Sequence, residues 1–259
     1  MGVLLHLSAE NLVWSVDSKL ILNGIDFTAN LGETIGILGP NGAGKTSFLK
    51  CLYREHIPQS GNVTLSETAL AAFNRREIAR KISVVSQHRE AVFNLSVLDV
   101  VKMGLIPHKQ YFDLNTQADY QLLHQAIEQV DLKNKKHQAF NTLSGGEQQR
   151  CFIARAIVQQ PEILIMDEPT NHLDIFYQHQ ILSIVKALDL TLVMSIHDLN
   201  LAALYCDRIM LMSEGTVLAF DTPEKVLKEN LLEQVFKIPC VVDNNPITGK
   251  LRVTFGGQG

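Results

Sequence analysis

Residues 39–47 read Gly-Pro-Asn-Gly-Ala-Gly-Lys-Thr-Ser and lie between an apolar run at 34–38 and an amphipathic run at 48–53. Gly39, Gly42 and Gly44 let the backbone double back without a Cβ penalty. The N–H groups of a loop completed by Pro40, Asn41 and Ala43 can then converge on one anion. Lys45 adds a point charge suited to terminal phosphates, and the Thr46 hydroxyl, with Ser47 beside it, suits Mg²⁺. A tight turn is the plain alternative. The flanks decide for phosphate, because a strand before and a helix after place a helix N-terminus, with its partial positive charge, where the anion would lie.

The 259 residues allow one large domain or two modest ones, and 46% hydrophobic with 19% charged residues is an ordinary globular balance. A net charge of −4 leaves no basic footprint that would favour nucleic acid as a partner. Cys51, Cys151, Cys206 and Cys240 are far apart, without the spacing of a zinc or redox site, and are expected to be buried thiols. The only apolar run near the N-terminus, residues 3–5, has no basic residue before it, so no signal peptide is expected. No apolar stretch approaches the length of a membrane helix.

Outward from the loop, residues 4–28 alternate short apolar segments with turn signals at Asp17-Ser18 and Asn23-Gly24, which predicts a small antiparallel sheet. Trp14, the only tryptophan, has two readings, a base-stacking ring or a buried strand residue. Residues 59–62 are expected as a turn, 63–65 and 82–85 as strands, and 75–81 as a basic helix, with Gln87 following the second strand. From 97 to 157 the apolar spacing turns helical, which predicts an inserted helical subdomain of two or three helices with a loop near 107–115.

Residues 143–150 read Leu-Ser-Gly-Gly-Glu-Gln-Gln-Arg. Ser144 and Glu147 have the spacing of a capping box, and Gly145 and Gly146 leave backbone N–H groups open beside Gln148 at a helix start. The run 163–166 is expected as a strand buried on both faces, ending in Asp167 and Glu168. Neighbouring strand residues point to opposite sides, which predicts a division of labour: Asp167 toward Mg²⁺, Glu168 toward an attacking water. The strand 191–196 presents His197 at its tip, where open α/β sheets carry ligand sites. Alternating strands and helices predict an α/β fold of the P-loop type, a three-layer core with a mostly parallel sheet. A hairpin is expected at Glu214-Gly215 and a helix start at Thr222-Pro223. Residues 241–259 carry no chemistry that can be read.

Taken together, residues 7–235 resemble the ATP-binding cassette proteins of ABC transporters. Residues 39–46 resemble the family's Walker A loop, Gln87 its Q-loop glutamine, 143–148 its signature motif, and 163–167 its Walker B strand. Glu168 matches the catalytic glutamate, Asn171-His172-Leu173-Asp174 the D-loop, and His197 the switch histidine. The departures are small: Lys45-Thr46-Ser47 stands where the family more often has Lys-Ser-Thr, and Trp14 where it usually has tyrosine, with Val16 in the alternative alignment.

The resemblance implies one ABC ATPase domain over 1–259: a nucleotide-binding core with β subdomain at 1–87 and 159–222, a helical subdomain at 88–158, and an extension at 223–259. It implies that ATP with Mg²⁺ is held between residues 39–47 of one copy and Ser144, Gly145, Gly146 and Gln148 of a second. Glu168 and His197 would act at the γ-phosphate, Thr46 and Asp167 at the metal, Gln87 as a catalytic residue touching the metal or the water while reporting to the transmembrane partner, and Trp14 at the base. The implied partners are a second copy, two transmembrane permease subunits and, indirectly, a substrate-binding protein, with no nucleic acid, at the cytoplasmic face of the inner membrane. Residues 101–108 and 197–202 look like importers of iron-siderophore, haem and cobalamin complexes. Leu105 and Asp221 stand where that subgroup usually has arginine and glycine, which leaves molybdate or zinc import as neighbouring possibilities. A non-transport ABC ATPase is the less favoured alternative, because that class typically carries a long coiled coil or two cassettes in one chain, and neither is read here.

Overall fold

A computed structural model describes residues 5–86, 95–110 and 112–257, which group into two compact units, residues 1–72 with 191–259, and residues 73–190. The second unit takes in residues 73–87 and 159–190 as well as the segment expected as a helical subdomain.

The first unit opens with β1 (Leu5–Val16) and β2 (Lys19–Asn30), an antiparallel hairpin about Asp17 and Ser18. Both turn residues have positive φ, 46° and 63°, as a two-residue turn matched to strand twist requires. Asn23-Gly24 is not a turn. It lies inside β2 as a bulge, because Leu12 pairs with Ile25 while Val13 pairs with Asn23, leaving Gly24, at φ 67°, as the extra residue. Inward-facing Leu22, Ile25, Phe27 and Ala29 keep the strand going past it.

Next come β3 (Thr34–Leu38), buried throughout, α1 (Lys45–Leu52), β4 (Ser60–Leu65) and β5 (Thr68–Ala69). The turn expected at 59–62 is instead largely strand: β4 starts at Ser60 and pairs with β1, and the Gln59 amide bonds both backbone groups of Ser15, accepting at 2.8 Å and donating at 3.1 Å. These strands form a four-stranded antiparallel sheet in the order β2-β1-β4-β5.

In the second unit α2 (Arg75–Lys81) is capped by Asn74 and Glu77 and leads into β6 (Ile82–Val85). Helices α3 (Val97–Lys102), α4 (Gln117–Gln129) and α5 (Gly145–Val158) follow, with α3 and α4 packing on α5. Their buried residues, among them Val97, Val101, Leu123, Ile127, Phe152 and Ile153, fall at the helical spacing read from the sequence. Arg76 and Arg80 of α2 each donate Nε to the Pro107 carbonyl, at 2.9 and 2.8 Å, which anchors the 3₁₀ helix (Met103–His108) that follows α3. The unit ends with β7 (Ile163–Asp167), parallel to β6, and α6 (Ile175–Lys186).

The chain returns to the first unit with β8 (Thr191–Ser195), α7 (Leu199–Tyr205), β9 (Arg208–Ser213) and β10 (Thr216–Asp221). Here β3 lies between β8 and β9, parallel to both, and β10 pairs antiparallel with β9 through the expected Glu214-Gly215 turn. Phe27 of β2 meets Phe48 of α1 edge-on at 5.4 Å and stacks on Phe220 of β10 at 5.5 Å, binding the unit's sheets and helix into one core. After α8 (Pro223–Val226) and α9 (Glu229–Phe236), the C-terminal segment forms a hairpin that the sequence did not announce, β11 (Cys240–Asn244) with β12 (Leu251–Phe255). The Asn200 side chain pins it, accepting from Val253 N–H at 2.7 Å and donating to its carbonyl at 3.2 Å. All four cysteines are free and buried, as expected.

Candidate active site

The glycine-rich loop joins the C-terminal end of β3 to α1. Gly39 is required by close approach: a Cβ there would lie 2.2 Å from the Met212 carbonyl oxygen on β9. Gly42, at φ 81°, has nothing within 4 Å of the corresponding position, so the loop's outer turn is open to a ligand. Gly44 is the N-cap of α1, at φ 98°, and faces inward: a Cβ on it would lie 3.0 Å from both the Ile21 carbonyl oxygen and Leu22 Cδ2 of β2. With no side chain to cap the helix, Gly44 leaves the first N–H groups of α1 to a ligand, as the phosphate reading of the loop expects. Lys45 is 6% exposed and folds under the loop, donating Nζ to the carbonyls of Gly39 at 2.7 Å and Pro40 at 3.1 Å. Thr46 and Ser47 stand in the first turn of α1, Thr46 buried less deeply than Lys45. One brace was not foreseen: Gly215 donates its N–H to the Ala43 carbonyl at 3.2 Å and accepts from Asn23 N–H at 2.9 Å, which ties the loop to the β9–β10 hairpin tip. A Gly in a hairpin turn is too common a signal to mark that role.

His197 belongs to the same unit. Ile37 pairs with Ser195, and Ile196 N–H donates to the Ile37 carbonyl at 3.1 Å. Gly39 and His197 each stand two residues beyond that pair, so the loop and the histidine leave adjacent parallel strands at the same end. Asp198, next in sequence, caps α7 by accepting from the N–H groups of Asn200 and Leu201 at 2.7 and 3.0 Å, and thereby fixes the turn that exposes His197. Trp14 is half-buried on β1 and stacks on His56 with centroids 4.2 Å apart. Burial beside that ring, with Lys50 nearby, pushes the His56 pKa below its ordinary value. Val16 is exposed.

The second unit carries Asp167, Glu168 and Ser144 with its following turn. Asp167 ends β7, but Glu168 does not continue the strand: its φ is 51°, in the left-handed region. Strand alternation, which holds only while both residues are extended, therefore does not carry over from Asp167 to Glu168, where the backbone reverses. Glu168 Oε2 accepts from Asn171 Nδ2 at 2.9 Å, and the Glu168 carbonyl from Asn171 N–H at 3.2 Å.

Ser144 caps α5 in a full capping box, with Glu147 Oε2 accepting from Ser144 N–H at 3.0 Å. Lys135, 2.6 Å from Glu147, holds that carboxyl below its ordinary pKa. Gly145 and Gly146 form the first turn, and the Gln148 amide donates to the Leu143 carbonyl at 3.1 Å. Gln87 lies outside the described residues. No helix among the described residues is long and apolar enough to cross a membrane.

The model of the ABC transporter family matches residues 22–171, a stretch that holds the glycine loop, the Ser144 turn, Asp167 and Glu168. The chain belongs to the ABC transporter family. This ABC ATPase is 37% identical over 245 residues to the hemin import ATP-binding protein HmuV of Methylobacillus flagellatus, covering 91% of this chain and 90% of that one. Among solved structures it is similar to a chain of a metal-chelate type ABC transporter in an inward-facing conformation, with TM-score 0.86, 26% identity and 98% of each chain covered. It is also similar to a dimeric ATP-binding cassette in a post-hydrolysis state bound to ADP and Pi, with TM-score 0.74, 26% identity, 84% of this chain and 98% of that one. The expected fold is borne out: an α/β ABC ATPase with a mixed, mostly parallel sheet and an antiparallel N-terminal β sheet.

Proposed function

We propose that this ABC ATPase powers an importer, coupling ATP hydrolysis to uptake of a metal chelate such as an iron-siderophore, haem or cobalamin complex. The observation that carries the proposal is that one chain holds the Lys45 loop and His197 at the same end of adjacent parallel strands, together with a capped Ser144 turn and Glu168. The likeness to a hemin import protein and to a metal-chelate transporter supports the cargo class.

In this reading the loop 39–47 of one copy holds the phosphates of ATP through backbone N–H groups and Lys45, and Trp14 stacks on the adenine. Ser144, Gly145, Gly146 and Gln148 of a second copy close over the γ-phosphate. The Glu168 carboxylate takes a proton from water as the water oxygen bonds to the γ-phosphorus. The bond from that phosphorus to the bridging oxygen breaks, releasing ADP and phosphate, while His197 holds the γ-phosphate oxygens. The Thr46 hydroxyl and the Asp167 carboxylate, with Gln87, are hard oxygen donors that fit Mg²⁺. The chemistry that Mg²⁺ supplies when bound is neutralisation of charge across the β- and γ-phosphates. Everything else is positioning and charge stabilisation, for which fixed N–H groups serve better than a nucleophile.

Partners in this reading are a second copy and two transmembrane permease subunits, which hold the ATPase at the cytoplasmic face of the membrane, and a binding protein that delivers the chelate. The test is reconstitution with the permease and binding protein in vesicles. Hydrolysis stimulated by a haem, siderophore or cobalamin complex is expected. Stimulation by molybdate or free zinc alone would overturn the cargo assignment.

A further inference from the structure

The start of α5 rests on an aromatic ring. A Cβ on Gly146 would lie 3.1 Å from Cγ and 3.3 Å from Cδ1 of Tyr177, in the first turn of α6. One turn further along α5, Arg150 is 5% exposed, its guanidinium carbon 5.6 Å from the Tyr177 ring centroid, and its Nη1 donates to Gln180 Oε1 on α6. Arg150 Nε has no hydrogen-bond partner among the described residues. Burying a guanidinium is costly, and apolar side chains would join two helices at least as well. A planar cation gripping one ring and one amide sets a geometry that apolar packing leaves free.

The same end of α6 is fixed to the loop that follows Glu168. Gln178 Nε2 donates to the carbonyls of Leu173 at 3.0 Å and Thr170 at 3.3 Å, and Asn171 holds the Glu168 carboxylate. Contacts therefore run without a break from Glu168, through residues 169–174 and the first turn of α6, across Tyr177 and Arg150, to the turn capped by Ser144.

We propose that Tyr177 is a positioning residue that seats the Ser144–Gly146 turn relative to Glu168. The half-site this chain lends to a second copy is then held in register with the carboxylate it keeps for its own site. The inference rests on the composite-site reading above. Glycine at position 146 is what lets the ring come this close, and Arg150 keeps the ring in place.

The test uses the full chain carrying Glu168→Gln, which isolates ATP-dependent dimerisation from turnover. Tyr177→Ala should raise the ATP concentration for half-maximal dimerisation by about ten-fold or more, as a seat displaced by a fraction of an ångström would. Tyr177→Phe keeps the ring and should stay within about two-fold, and ATP affinity of the monomer, set by the Lys45 loop, should stay within about two-fold in both. Where Tyr177→Ala does not fold, Tyr177→Leu carries the same expectation. The inference is overturned if the ring-less variant dimerises at the parent's ATP concentration, if Tyr177→Phe is impaired as much, or if monomer affinity falls in parallel. A Glu168→Gln parent that stays monomeric in saturating ATP removes both this inference and the composite-site reading, whereas a dimerising parent with indifferent Tyr177 variants removes this one alone.

Discussion

The backbone N–H of Gly215 donates to the carbonyl of Ala43 at 3.2 Å, so a hairpin tip far along the chain braces the glycine-rich loop. A Cβ on Gly215 would lie 2.3 Å from the Ile21 carbonyl oxygen, at a φ of 77°. Gly215→Ala is therefore expected to cost about 1–3 kcal/mol of stability. By loosening the loop it should also weaken ATP binding about ten-fold, roughly the loss of one hydrogen bond's worth of fixed geometry. Thermal unfolding and calorimetric titration check the two effects, with Glu214→Ala as the neighbour expected to bind normally.

Lys45 supplies the loop's buried charge. Lys45→Ala should weaken ATP binding by about ten- to hundred-fold, the range for losing a charged hydrogen bond. Lys45→Arg should not restore it, because the guanidinium cannot fit where one ammonium bonds two carbonyls. Calorimetry with ATP reads both, and unchanged affinity in Lys45→Ala would remove the lysine from the site.

Trp14 is the chain's only tryptophan, so its fluorescence reports one ring. His56 covers one face of that ring. If adenine stacks on Trp14, ATP should quench or shift its emission, and Trp14→Ala should weaken ATP binding by about 1–3 kcal/mol, the scale of base stacking on an aromatic ring. Emission indifferent to ATP, with affinity unchanged in Trp14→Ala, would remove Trp14 from the base site.

What was legible in the sequence depended on locality. The Lys45 loop, the Ser144 capping box and the Glu214-Gly215 turn are each specified by side chains within a few residues, and the structure carries all of these local forms. Asn23-Gly24 misled because a positive-φ glycine serves a bulge as well as a turn, and only the cross-strand register distinguishes them. Glu168 misled because period-two alternation stops where the strand stops, one residue earlier. The Gly215 brace, the packing of Gly44 against β2 and the Tyr177 seat on Gly146 join residues far apart in sequence, and no local pattern encodes such contacts.

The buried thiols give a pH dependence. Burial pushes Cys51 from 9.0 up to about 11 and Cys151 from 9.0 up to about 12. Both stay protonated in the folded chain after the unfolded chain has ionised. Their contribution to stability is thus intact below pH 9.0 and lost as pH rises from there through about 11 for Cys51 and about 12 for Cys151. Denaturation midpoints should fall across this alkaline window, and less so in Cys51→Ala. Thiol reagents should label neither cysteine at neutral pH until the chain unfolds.

Whether two copies of this chain complete each other's ATP sites around Glu168 is read by sedimentation of Glu168→Gln with and without ATP, alongside its hydrolysis rate. Glu168 is held by Asn171, and glutamine keeps the shape of its side chain while removing the proton acceptor. A stable dimer that forms only with ATP is expected, with hydrolysis reduced by about 10²-fold or more, the loss expected of a general base. A variant that remains monomeric in saturating ATP, or that hydrolyses near the wild-type rate, would contradict that shared site.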